Sequence, residues 1–353
     1  MCGDNAAVGV GRSEITVSKT KIEWADRVWN PVTGCTKISP GCQNCYAERM
    51  SKRLAGRCGY PKDDPFMVTL HPERLDEPLH WRKTSRIFVC SMADLFHDDV
   101  PTKFIIDCLS IMAEAYQHTF MILTKRPERM REILTHETIA NDVWLQTSRG
   151  VNAEPSPWPL PNVWLGVTAE NQEQANKRIP VLLQIPAAVR FVSVEPMLGP
   201  VDLTELPIPH EICNRGFNFN ALTEQDDEHF YNDHPKLDWV ICGGESGPRA
   251  RPMHRDWVRS LRDQCQAAET SFFFKQWGEW SPAEIEDDSY MLGGRAINDP
   301  RGGRMSVAKF PLHTRNNRYW RLDENHLAVK VGKKIAGRLL DGREWNEFPE
   351  ATS

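Results

Sequence analysis

No run of about 18 apolar residues occurs in the 353-residue chain, so no membrane-spanning helix is expected. The opening residues, MCGDNAAVGVGRSE, lack the apolar core of a secretory signal. They read as a disordered tail over 1–20, and the protein as cytoplasmic. An excess of positive charge is also missing. The formal charge is −5, so the chain as a whole is no general nucleic-acid binder, although a local basic patch stays open. No Gly-x-Gly-x-x-Gly turn follows the first candidate strand, which counts against a dinucleotide fold. No internal repeat shows beyond a β/α alternation.

What is present is an ordinary globular balance, 40% apolar and 26% charged residues, enough to bury a core without staples. Short β-type runs alternate with helix-type segments. Strands are expected at 28–32, 86–91, 119–124, 163–167, 189–194, 239–242 and 271–275. Helices are expected at 44–54, 101–116, from 127, 172–183 and 256–268. Seven β/α steps over about 250 residues point to an α/β fold, a (β/α) barrel or partial barrel of the TIM/radical-SAM type. Residues 21–280 form the expected catalytic domain, with loop insertions at 150–162 and 203–236. Residues 281–305 read as a Gly- and Asp-rich surface insertion, and 281–353 as a C-terminal extension packed on the barrel.

Ten cysteines is many for a reducing compartment, where a disulfide framework is not expected. Cys90, Cys108, Cys242 and Cys265 each sit singly in mostly apolar surroundings and read as small buried hydrophobes. Cys35, Cys42 and Cys45 alone cluster, in WNPVTGCTKISPGCQNCYAERM. Six residues separate the first pair and two the second. Gly34, Pro40 and Gly41 let the chain curl, so that three sulfurs can face one point. Cys45 is expected in the first turn of the next helix, whose positive end favours thiolates. Three ligands are one short of a closed zinc site or of the usual iron–sulfur carrier, and so leave a metal position open for chemistry. Zinc completed by Cys58 or a histidine is the alternative.

In β/α barrels, chemistry sits at the C-terminal ends of the strands, and here those ends are polar. Asp94, Lys125, Glu195, Glu245 and Lys275 are the candidate catalytic residues. Ser91, Thr168, Glu170, Ser193, Gly243 and Gly244 are candidate ligand contacts. Any one of them alone could serve a structural ion pair or loop. Gly243-Gly244-Glu245 would let backbone approach a ligand closely. A pocket lined by Glu195, Glu245 and Lys275 is expected on the open side of the cysteines. Arg249 and Arg251 can grip phosphate or carboxylate. The segment GKKIAGRLLDGREW, with Lys333, Lys334, Arg338, Arg343 and Trp345, suits a nucleotide or nucleic-acid strand; read blandly, it is a charged helix face.

Three clustered cysteines after the first strand of a β/α barrel resemble the radical S-adenosylmethionine (SAM) superfamily. More closely, the chain resembles an uncharacterised phage-associated family with a three-cysteine motif, in stretches running from IEWADRVWNPVTGC to AGRLLDGREWNEFP. The superfamily resemblance implies a [4Fe–4S] cluster on Cys35, Cys42 and Cys45. It implies that SAM chelates the open iron, that an external donor supplies one electron, and that SAM is cleaved to a 5′-deoxyadenosyl radical. The first gap is wider than the superfamily's Cys-x3-Cys-x2-Cys. Tyr46 follows the third cysteine where the superfamily places an aromatic just before it, and Tyr46 is a candidate cofactor contact. The phage association and the basic segment suggest a nucleotide or nucleic-acid substrate. The competing expectation is a phage-associated nucleic-acid-binding or processing protein stabilised by zinc or a structural cluster, without SAM chemistry.

Overall fold

A computed structural model describes residues 20–147, 157–208, 217–224, 235–286, 289–292, 319–324 and 326–350. The expected tail, apart from residue 20, and parts of the segments expected as insertions lie outside these. Seven strands form one parallel sheet: β1 (Arg27–Trp29), β2 (Arg86–Val89), β3 (Thr119–Thr124), β4 (Val163–Thr168), β5 (Val189–Val194), β6 (Trp239–Gly243) and β7 (Ser271–Gln276). Their order in the sheet is their order in the chain. That is the topology of a half-barrel, the expected α/β class. Every residue of β4 and β6 is buried, as strands covered on both faces require.

The chain divides into two compact units. The first takes residues through Ile38, Cys45–Leu165 and Pro186–Ala188. The second takes Ser39–Asn44, Gly166–Ile185 and the chain from Val189.

In the first unit, β1 pairs with β2 and β2 with β3. Trp29 and Phe120 meet edge to face at 5.8 Å in its core. Helices α1 (Tyr46–Leu54), α2 (Thr102–Glu114), α3 (Pro127–Leu134) and α4 (Ile139–Gln146) belong here. The first expected strand breaks at Asn30-Pro31. Its second half, Val32–Thr33, pairs instead antiparallel with Thr69–Leu70. Pro31 has no N–H to give a ladder, and its carbonyl accepts from His71 N.

The second unit carries β5 to β7, α5 (Gln172–Leu182) and α6 (Arg255–Ala267). A Cβ on Gly166 would stand 2.5 Å from the Phe191 ring, so glycine lets β5 pack closely there. The segment expected as insertion 281–305 holds β8 (Trp280–Glu286) and β9 (Ser289–Leu292). With β10 (Tyr319–Arg321) and β11 (His326–Lys330) they build a four-stranded antiparallel sheet; residues 293–318 lie outside the description. The expected insertion at 203–236 contains a short ladder, Leu206–Pro207 with Asn218–Phe219. The outer edge of β7 is covered by the C-terminal segment. Phe274 N donates to Trp345 O, and Glu347 N to Phe272 O, which removes an unpaired edge. Among the described residues no helix is long and apolar enough to cross a membrane.

Candidate functional site

In the first unit, the chain leaves Val32–Thr33 through Gly34, whose φ is +84°. A Cβ there would meet Met67 O at 2.1 Å, so only glycine fits. Backbone bonds from Gly34 N to Met92 O and from Cys35 N to Phe66 O pin the turn on both sides. The buried Thr33 hydroxyl pairs with His71 Nε2 at 2.8 Å. Cys35 is therefore presented from a rigid corner.

Beside its sulfur lies Arg126, buried at 7% exposure. Nη1 sits 3.7 Å from Cys35 Sγ and 3.2 Å from Asp94 Oδ2, and Nη2 donates to Thr36 Oγ1 at 2.9 Å. Asp94 also accepts from Thr124 Oγ1, Phe96 N and Lys125 N. Burial pulls the Arg126 pKa down, but Asp94 and Cys35 outweigh it and hold the guanidinium charged. Burial and the Arg126 charge push His97 below the usual histidine range. Its Nδ1 accepts from Asp99 N, which puts the proton on Nε2, 2.8 Å from Thr36 Oγ1. Thr36 is thus held by an imidazole and a guanidinium at once. Cys45 is the N-cap of α1 rather than a residue of its first turn. Tyr46 is exposed, with the Arg49 guanidinium 5.8 Å above its ring. Ser91 Oγ donates to Asn30 Oδ1.

In the second unit, the loop 39–44 carries Cys42, whose Sγ is 3.7 Å from Ser39 Oγ. Two buried carboxylates hold this loop. Glu170, with 0% exposure, accepts from Gly41 N at 2.8 Å and from Arg178 Nη1 at 2.9 Å. A Cβ on Gly41 would stand 3.0 Å from that carboxylate. Glu245 accepts from Arg251 through Nη2 at 2.6 Å, Nε at 2.9 Å and the backbone N at 2.7 Å. It also takes Asn44 Nδ2 at 3.0 Å. Arg251 reaches on to Gln43 Oε1 and Pro40 O. Burial pushes both carboxyls up. Ser39, Arg178 and Gly41 overcome it for Glu170, and Arg251 with Asn44 for Glu245, so both lie below the ordinary 4.5. Two strand-end acids picked out in the sequence are therefore committed to fixing the cysteine loop.

A second group stands at the ends of β5, β6 and β7. Lys275 Nζ lies 3.2 Å from both Glu195 carboxylate oxygens, and Ser193 Oγ donates to Glu195 at 3.5 Å. Gly243 lies beneath; a Cβ there would stand 2.3 Å from Glu195 Oε1. Gly244 packs against Trp277 O, where a Cβ would come to 2.1 Å. Thr168 contributes its carbonyl to Arg178. Glu195, Lys275, Ser193 and Gly243 are thus brought together, whereas Glu245 is taken by Arg251.

Cys90, Cys108, Cys242 and Cys265 are buried. Burial pushes the Cys90 thiol up to about 12 and raises the other three as well, so all four stay protonated. Cys58 is disulfide-bonded and no free ligand. Cys35, Cys42 and Cys45 are partly exposed. Sequence reasoning passed over Arg178 and His97. It also missed His254, Asp323 and His326, a group of metal-type donors within 4.8 Å of one another among the described residues. Only one signal pointed to the arginines: acid and base at strand ends within a few residues.

A family model described as a protein of unknown function (DUF5131) matches residues 19–349. No curated protein matches. Among solved structures, spore photoproduct lyase complexed with dinucleoside spore photoproduct is similar at 10% identity and a TM-score of 0.38. The likeness covers 72% of this chain and 64% of that one, so the chain spans less than two thirds of that protein's length.

Proposed function

The chain belongs to the DUF5131 family, and from that premise we propose that it is a radical SAM-like iron–sulfur enzyme in which Cys35, Cys42 and Cys45 hold a [4Fe–4S] cluster with one iron left open. The donor chemistry fits such a group. These three thiols are partly exposed, unlike the four buried ones. The single observation that carries the reading is the commitment of buried charge to the cysteine loop. Glu170–Arg178, buried at both partners, and Glu245–Arg251, buried at its carboxylate, both anchor a segment of six residues around Cys42. A loop held only for packing does not require that.

When bound and reduced, the cluster supplies the electron that cleaves SAM reductively; an external donor provides it. The chain's own groups have separable tasks. Arg126 places a positive charge beside the Cys35 sulfur and offsets thiolate charge. Glu170 and Glu245 fix the direction in which Cys42 points. The half-buried Glu195–Lys275 pair offers an anion and a cation side by side at strand ends. It can orient an amine, hydroxyl or acidic oxygen of a bound molecule. The proposed substrate is a nucleotide or nucleic acid, a reading supported by the basic C-terminal segment.

The test is anaerobic reconstitution with iron and sulfide, then dithionite and SAM. Formation of 5′-deoxyadenosine is expected, with loss in Cys42→Ala. No 5′-deoxyadenosine from protein with an intact cluster refutes the proposal.

A further inference from the structure

Away from the strand ends, the second unit brings two imidazoles and a carboxylate to one point. His254 caps the N-terminus of α6, its Nδ1 accepting from Asp256 N at 3.1 Å. Its Nε2 lies 2.8 Å from Asp323 Oδ2. His326, the first residue of β11, places Nδ1 2.8 Å from the same oxygen. Asp323 is itself held in register, because its Oδ1 accepts from His326 N at 2.8 Å. The two rings stand edge to face with centroids 4.7 Å apart. A helix cap and the start of a strand, separated by about seventy residues of chain, thus converge on one carboxylate oxygen.

The outward nitrogens are as informative as the inward ones. His254 Nδ1 is 3.7 Å from Asp256 Oδ2, and His326 Nε2 is 3.9 Å from that same oxygen. Histidines that ligate a metal donate their other N–H to a carboxylate or carbonyl, which fixes tautomer and orientation. One carboxylate faces both rings from behind while another joins them in front.

We propose that His254 Nε2, Asp323 Oδ2 and His326 Nδ1 form a binding site for a divalent transition ion, zinc foremost, with Asp256 as the carboxylate behind both imidazoles. Two histidines and one carboxylate form a recurrent zinc ligand set, with the fourth position left to water. Without the ion, the inward nitrogens carry the protons and donate to Asp323. With it, the protons move to His254 Nδ1 and His326 Nε2, and His254 exchanges its cap on Asp256 N for the carboxylate of the same residue, which closes in from 3.7 Å. Ligand atoms at zinc bond lengths of about 2.0–2.1 Å stand roughly 3.3 Å apart, so each His–Asp separation of 2.8 Å opens by about half an ångström to take the ion. Asp323 is 45% exposed, which provides an entry path. This site is independent of the cysteine proposal.

The experiment uses the full chain, stripped with chelator and titrated with Zn²⁺, with Co²⁺ as the optical probe. In the wild type an ion beyond any taken by Cys35, Cys42 and Cys45 is expected, and with those three cysteines replaced by serine one tightly bound ion remains, with a Co²⁺ spectrum free of thiolate charge-transfer absorption. His326→Gln and Asp323→Asn are expected to weaken Zn²⁺ affinity by at least about 100-fold, and Asp256→Asn by about 10- to 100-fold. Cys42→Ser should leave this ion in place. Thermal melts of the stripped variants check folding: the ion should raise the melting temperature of the wild type and not of His326→Gln. Zinc uptake unchanged in both His326→Gln and Asp323→Asn overturns the site. So does a wild-type chain that binds no ion, which leaves a hydrogen-bonded latch only.

Discussion

Replacing Glu170 by alanine probes the lock on the cysteine loop. The carboxylate is fully buried and the Arg178 side chain is 5% exposed. Truncation strands a guanidinium in the interior with only the Thr168 carbonyl left to it, and leaves Gly41 N–H without its acceptor. Removing one member of a buried pair costs about 3–5 kcal/mol, and the orphaned amide lies within that range of effects. Glu170→Gln keeps an acceptor of the same shape and should cost about 1–2 kcal/mol. Adding Arg178→Met to the alanine variant removes the stranded charge and should recover roughly half of the loss. The assay is equilibrium urea unfolding followed by tryptophan fluorescence. A loss below about 1 kcal/mol in Glu170→Ala, or a double variant that costs the sum of the singles, refutes the claim that this pair is a coupled lock.

Stability should also depend on pH through the same groups. Glu170 and Glu245 have folded pKa values below the ordinary 4.5. The stability they add is complete above that value and is lost as pH falls through the folded ones. Melting temperature should drop in that acid window, and less steeply in Glu245→Gln. Gly243→Ala would force Glu195 off Lys275, since the new methyl would stand 2.3 Å from Oε1. A roughly 100-fold loss of 5′-deoxyadenosine formation is expected at a stability cost of about 1–3 kcal/mol, read from product assays and melts. Arg126→Met leaves Asp94 buried with one charge partner fewer and should cost about 3–5 kcal/mol in denaturant titration.

The β/α rhythm was legible because β4 and β6 are apolar throughout and the intervening helices are amphipathic. Their ends agree with the expected ranges to within a residue or two. The first strand was misread because a proline inside an apolar run does not reveal, from the sequence, whether the strand continues or changes partner. The two strands within 281–292 were not foreseen because β8 and β9 carry Pro282, Glu284 and Glu286, a pattern that suits a small sheet without resembling a buried strand. At the strand ends, residue type exposed the acids but not their partners. Glu245 and Arg251 are six residues apart, yet the pair reaches back to Asn44, Gln43 and Pro40 across some two hundred positions. His254 and His326 were illegible for the same reason: a helix cap and a strand start carry no shared spacing.

The most direct measurement is electron paramagnetic resonance of the anaerobically reconstituted, reduced protein with and without SAM, alongside iron and sulfide content. A cluster signal that changes when SAM is added, and that is lost in Cys35→Ala, Cys42→Ala and Cys45→Ala, is the predicted result. Protein that takes up no cluster, or a signal indifferent to SAM, contradicts the account.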